Sequence, residues 1–249
     1  MVDMFNNFTT QFLKMTEYAN SSRIDCDIKV VHDIIEYVKN DDSEYSQLEN
    51  LKEAYGLFYV TSKGKLEIVI LETDNIVELL HNLFHEMVHL YDFVYLSEYR
   101  GEPDIRKLQE DTFFILWSEF HAEYLVYKYF LSLNENSINP FDVRGELIHN
   151  YNQFVFGKRT LAVQKMTNFC VRLFGEYMAL TEKYEEIDKL PMEIFFNQAF
   201  CDLYVYLKKH KSIEQIMGDY PKLKKIFLKL KIRKSTQAYA LEPGYKKKW

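Results

Sequence analysis

The chain has 249 residues, 47% of them hydrophobic, which is enough to bury a core without covalent staples and excludes disordered, collagen-like and disulfide-scaffold classes. With 31 basic against 37 acidic side chains the net charge is -6, which gives no overall case for a nucleic-acid or membrane-surface binder. Cys26, Cys170 and Cys201 show no CxxC spacing, and no signal-peptide pattern or apolar run of membrane-spanning length occurs, so the expectation is a cytoplasmic protein with no membrane segment.

The 19 Tyr and 19 Phe against 8 Gly and 5 Pro favour long helices with few tight turns. Residues 10 to 55 carry helical patterning, clearest in Ile28, Val31, Ile34, Ile35 and Val38. The segment GLFYVTSKGKLEIVILETDN then reads as a β-hairpin, with Gly64 in the turn between two runs rich in Val, Ile, Tyr and Phe. A helix follows from about Asn75 to Tyr95 with Thr73 or Asp74 as N-cap, and a second from about Asp111 to Leu131. Beyond the turn-rich LNENSINP, helical stretches fall near 143 to 155, 160 to 184 and 191 to 209. The fold class expected is mainly α with a small antiparallel β-hairpin or sheet (α+β), organised as a core over 1–131 and a helical carboxyl-terminal region over 132–249. The oligomeric state is not readable. Residues 207 to 249 hold 13 Lys or Arg and 3 acids, so a basic tail follows an acidic body.

The chemistry-bearing motif is HEMVH, that is His85, Glu86 and His89. Histidines four apart on a helix lie on one side, one turn apart, where both imidazoles reach a single metal ion, and the intervening glutamate lies beside them as a proton acceptor. Glu78, His81, Asn82, His85, Glu86, His89 and Asp92 form a narrow polar stripe on an otherwise apolar helix, and buried polar groups of that kind need partners or ligands. A catalytic zinc takes three protein ligands and keeps one position open. The second long helix offers Glu119 and Glu123, four apart on one face. Glu119 is taken as third ligand and Glu123 as its neighbour orienting a ligating histidine, with Glu123 as ligand the alternative. His121 is directed to another face beside Trp117 and reads as packed and hydrogen-bonded rather than ligating. Asp92 reads as an acid that orients a ligand or meets substrate, or as a plain surface acid.

These residues resemble the zincin metallopeptidases of the gluzincin type. The order of hairpin, His-Glu-x-x-His helix and following helix with a Glu-x-x-Ala pattern is most similar to the ImmA/IrrE family. The resemblance covers residues 55 to 131 and implies a minimal zincin-like core there, while the helical carboxyl half that follows is read from its own patterning. The resemblance also implies His85, His89 and Glu119 as zinc ligands and Glu86 as general base toward a metal-activated water. By the same resemblance the substrate is a protein or peptide such as a repressor, the gene belongs to a mobile element, and an extended substrate pairs with one strand of residues 57 to 71. A competing reading makes the chain a non-catalytic zinc-site interaction protein, or a DNA-binding regulator using Ser212 to Ile232 as two short helices broken at Gly218 to Pro221. Nucleic acid is the less favoured partner, because a lysine-covered surface helix explains the same residues.

Overall fold

The computed structural model describes residues 2–21, 24–47, 51–52, 54–133, 163–184 and 198–237. Helix α1 (Val2–Lys14) leads into a 3-10 turn over Glu17–Asn20, capped by Thr16, whose hydroxyl accepts from the Tyr18 N–H. Asp27–Val31 is then a strand, β1, and Ile34–Asp41 a short helix, α2. The helical patterning expected through Ile28 and Val31 is therefore overturned. Ile28, Val30 and Val31 are β-branched and pair with a neighbouring strand, and Asp33 restarts the chain as a helix by accepting the Glu36 N–H at 2.9 Å.

The expected hairpin is present as β2 (Gly56–Val60) and β3 (Leu66–Leu71), and Gly64 supplies the left-handed residue of the turn with φ 77°. The sheet holds one more strand than the sequence suggested and is mixed, because β1 joins β3 in parallel. In the order β1-β3-β2, β3 is central and covered on both faces. Val69 packs with Ile34, Val38 and Tyr59 beneath α2, whereas Ile68 and Ile70 join the main core on the opposite side.

Helix α3 (Ile76–Arg100) starts one residue later than its expected caps. Asn75 is the N-cap, its side chain accepting from Val77 and Glu78, and Gly101 ends the helix in the left-handed region at φ 61°. A one-turn helix α4 (Ile105–Leu108) connects to α5 (Thr112–Leu133). The carboxyl-terminal half contributes α6 (Val163–Lys183), α7 (Gln198–Lys209) and α8 (Ile213–Gln237). The helix expected near 143 to 155 lies outside the described residues. The break expected at Gly218 to Pro221 is a kink within α8, where Asp219 leaves helical geometry at φ -130° just ahead of Pro221.

The elements stack as sheet, α3, α5 and α6. Eleven consecutive residues of α3, Leu83 to Phe93, are buried, as are seven of α5, Phe120 to Val126. Runs of that length cover every face of a helix, so both are walled in on all sides over these turns. α5 and α6 meet closely at Gly175, where a Cβ would stand 2.5 Å from the Phe120 carbonyl oxygen and 2.8 Å from the Tyr124 nitrogen. One core cluster runs from Phe12 to Phe227, and the buried Trp117 indole donates to the His210 carbonyl at 2.9 Å. The chain is thus mainly helical with a small sheet, and among the described residues no helix is long and apolar enough to cross a membrane.

Candidate metal centre

The polar stripe of α3 faces α5 through its histidines and the sheet through its glutamate. His85 Nε2 and His89 Nε2 are 3.0 Å apart. A Glu119 carboxylate oxygen stands 3.3 Å from the first, and its other oxygen 3.9 Å from the second. One donor atom from each of the three residues falls within 4.8 Å of the others, a set that could hold a metal ion. His85 and His89 are buried, while Glu119 and Arg172 keep 19% and 45% of their side-chain surface, so solvent reaches the group from that side.

Glu123 takes a different position from Glu119. One of its oxygens lies 3.3 Å from the other nitrogen of His85, Nδ1, and the second lies 3.2 Å from His81 Nε2. The Arg172 guanidinium of α6 then grips the Glu123 oxygen nearer His85 through Nε at 2.7 Å and Nη2 at 2.5 Å, with Nε 3.9 Å from Glu119. Two carboxylates on opposite edges of one imidazole call for positive charge there. Burial resists charging His85, but hydrogen bonds to Glu119 and Glu123 overcome it and push its pKa up to about 10. Burial would raise Glu119, yet His85, His89 and Arg172 hold it down at about 2. His89 is lowered by burial and by His85 beside it. A divalent cation at the convergence of the two Nε2 atoms and Glu119 would meet the same demand, so the donor set fits a divalent metal ion.

Glu86 is held on the sheet side, where its carboxylate accepts the Phe58 N–H at 2.7 Å. It packs so closely on β2 that a Cβ at Gly56 would lie 2.8 Å from its Cγ. Phe58 and Val60 present their other backbone groups away from β3. The Phe58 carbonyl accepts from Gln109 Nε2 at 3.4 Å, and the Val60 carbonyl accepts from Arg106 Nε and Nη2 at 2.8 and 2.6 Å. Of the two strands considered for substrate pairing, β3 is central and has no open edge, and the outer edge of β2 is partly occupied by these side chains.

Asp92 and His121 are fully buried, so Asp92 is not a surface acid. His121 stacks on Trp117 at 4.6 Å and contacts Asp92 through Nδ1 at 2.9 Å, away from the Glu119 group. Asp92 also accepts from Tyr18 and, at 2.5 Å, from Ser118, whose Oγ lies 2.7 Å from His89 Nδ1. Sequence reasoning missed Ser118, Tyr18, Arg172 and Gly175. Gly175, a lone glycine in a long helical run, carried a readable signal of close helix approach, and Ser118, a small polar residue in an apolar run, one of a buried hydrogen bond.

Compared with known proteins, the chain matches no family model, no curated protein and no solved structure.

Proposed function

We propose that the chain is a zinc-dependent metallopeptidase of the zincin type, hydrolysing peptide bonds with Glu86 as general base. The observation that carries this reading is the convergence of His85 Nε2, His89 Nε2 and Glu119 on one point, with the intervening Glu86 turned to the strand edge. His85, His89 and Glu119 would hold the ion, and a bound zinc supplies Lewis-acid activation of water and carbonyl groups. Glu86 accepts the proton of the attacking water and returns it to the leaving amine, and the Phe58 N–H holds the carboxylate in place. Glu123, itself gripped by Arg172, fixes the ring of His85 through Nδ1.

An extended peptide has one strand border beside Glu86, that of β2, and pairing there displaces Arg106 and Gln109 from the Val60 and Phe58 carbonyls. The resemblance to ImmA/IrrE peptidases makes a repressor-type protein the first substrate to try. The test is metal content by plasma mass spectrometry on protein purified without a nickel column, beside hydrolysis of a peptide library. Close to one zinc per chain is expected in the parent and in Glu86→Gln, which loses hydrolysis, and little in His85→Ala, His89→Ala or Glu119→Ala. An active Glu86→Gln variant, or a parent that takes up no metal from added zinc, would refute the reading.

A further inference from the structure

The polar groups behind His89 form a chain whose proton positions follow from counting donors and acceptors. Asp92, as a carboxylate, only accepts, and it is fully buried with three groups around it: the Tyr18 hydroxyl, the Ser118 hydroxyl and His121 Nδ1. Tyr18 donates through its hydroxyl and His121 through Nδ1–H. Ser118 has a single proton and spends it on Asp92 at 2.5 Å. Its oxygen, 2.7 Å from His89 Nδ1, is then left to accept, so the proton of that contact belongs to Nδ1 of the histidine. The remaining nitrogen, Nε2, is the one that faces His85 Nε2 and Glu119.

We propose that Ser118 and Asp92 are positioning residues for His89, fixing its proton on Nδ1 and thereby committing Nε2 as a lone-pair donor to the metal. The inference rests on the metal-site reading above and goes beyond it, because it assigns to a buried serine the task of transmitting a carboxylate's polarity to the ring. Asp92 stands one hydroxyl further away than Glu123 does from His85, so the two histidines are oriented by different devices: one by direct contact with an acid, the other through Ser118. Tyr18 and His121 keep Asp92 in place from the far side. His121 continues through Nε2, 3.4 Å from Glu17, whose carboxylate accepts the Ile213 N–H at the start of α8.

Asp92→Asn separates this arrangement from simple packing because it is isosteric yet reverses the chain. An amide NH2 aimed at Ser118 donates to its oxygen, the serine turns its proton toward His89 Nδ1, and the ring proton moves to Nε2. Full-length parent, Asp92→Asn and Ser118→Ala are compared by zinc titration against a chelator and by long-range proton–nitrogen spectra of the His89 ring in the metal-free proteins. The parent is expected to show the Nδ1–H tautomer and Asp92→Asn the Nε2–H tautomer, with zinc affinity about 10- to 100-fold weaker in both variants. An unchanged ring tautomer in Asp92→Asn, or zinc affinity of Ser118→Ala within about twofold of the parent, overturns the proposal while leaving the metal site standing. A parent that binds no zinc overturns both. Should Asp92→Asn not fold, as judged by circular dichroism, Ser118→Ala decides by its affinity.

Discussion

Replacing Arg172 by methionine keeps most of the side-chain volume and removes the charge facing Glu123. Glu123 has 1% of its side chain exposed and is held by His81, His85 and Arg172, so the variant leaves a buried carboxylate short of its strongest donor. Breaking a fully buried pair from one side costs about 3–5 kcal/mol. The arginine side chain is 45% exposed, and solvent screening halves the figure to about 2 kcal/mol. For a chain of this length that lowers Tm by about 4–8 °C. The assay is thermal unfolding followed by circular dichroism, with and without zinc, on Arg172→Met, Glu123→Gln and the double variant. The double variant should lose little beyond Glu123→Gln alone, because a neutral amide needs no counter-charge. Burial opposes ionisation of Glu123, but hydrogen bonds from His81 and His85 and the charge of Arg172 hold its pKa well below the ordinary value of 4.5. Stability from a lowered carboxyl pKa is complete above the unfolded value and drains away as pH falls through the folded one. The deficit of Arg172→Met is therefore full at pH 7 and narrows below about pH 4.5. A Tm within about 1 °C of the parent at pH 7, or equal losses from Arg172→Met in the presence and absence of Glu123, would refute the reasoning.

Three further outcomes are expected. Gly56→Ala puts a methyl 2.8 Å from Glu86 Cγ, a movable side chain, so the fold survives while Glu86 leaves the Phe58 N–H; zinc content should hold and kcat fall about 10- to 100-fold, and an unchanged kcat speaks against Glu86 as base. Gly175→Ala meets backbone atoms of α5 instead, which cannot yield, so α6 is pushed away at a cost of about 3 kcal/mol, visible as a lowered urea midpoint, and a midpoint equal to the parent's would contradict the close seam. Arg106→Ala frees the Val60 carbonyl on the outer edge of β2, so KM for extended peptides should fall with kcat nearly constant, whereas an unchanged KM would argue that substrate does not use that border.

The local parts of this site were legible and the long-range parts were not. His85 and His89 declare themselves by a spacing that one helix imposes, and Glu119 and Glu123 by the same rule on a second. Assigning them opposite edges of His85 required the docking angle of α3 on α5, which periodicity does not contain. β1 was misread because Ile28, Val31, Ile34, Ile35 and Val38 happen to follow helical spacing across an element boundary. The correcting signal was Asp33 with Glu36 three residues on, the pattern of a helix start in mid-run. Arg172 is 49 residues from Glu123, and one arginine in an amphipathic helix carries no mark of its partner. Ser118 is a small polar residue in a heavily apolar run, which signals a buried hydrogen bond without naming who shares it.

The burial of α5 on every face has a consequence for the order in which the protein is made. Its innermost turns, Phe120 to Val126, are satisfied on one side by α3, which leaves the ribosome earlier, and on the other by α6, which leaves later. At about 5–20 residues per second, the 49 residues separating Glu123 from Arg172 amount to roughly 2–10 seconds of synthesis. Throughout that interval the flank of α5 that meets Gly175 lacks α6, and Glu123 lacks the Arg172 guanidinium. The two histidines are thus translated well before their surroundings are complete, and a chain cut short ahead of α6 carries the whole HEMVH motif without the guanidinium that completes its setting.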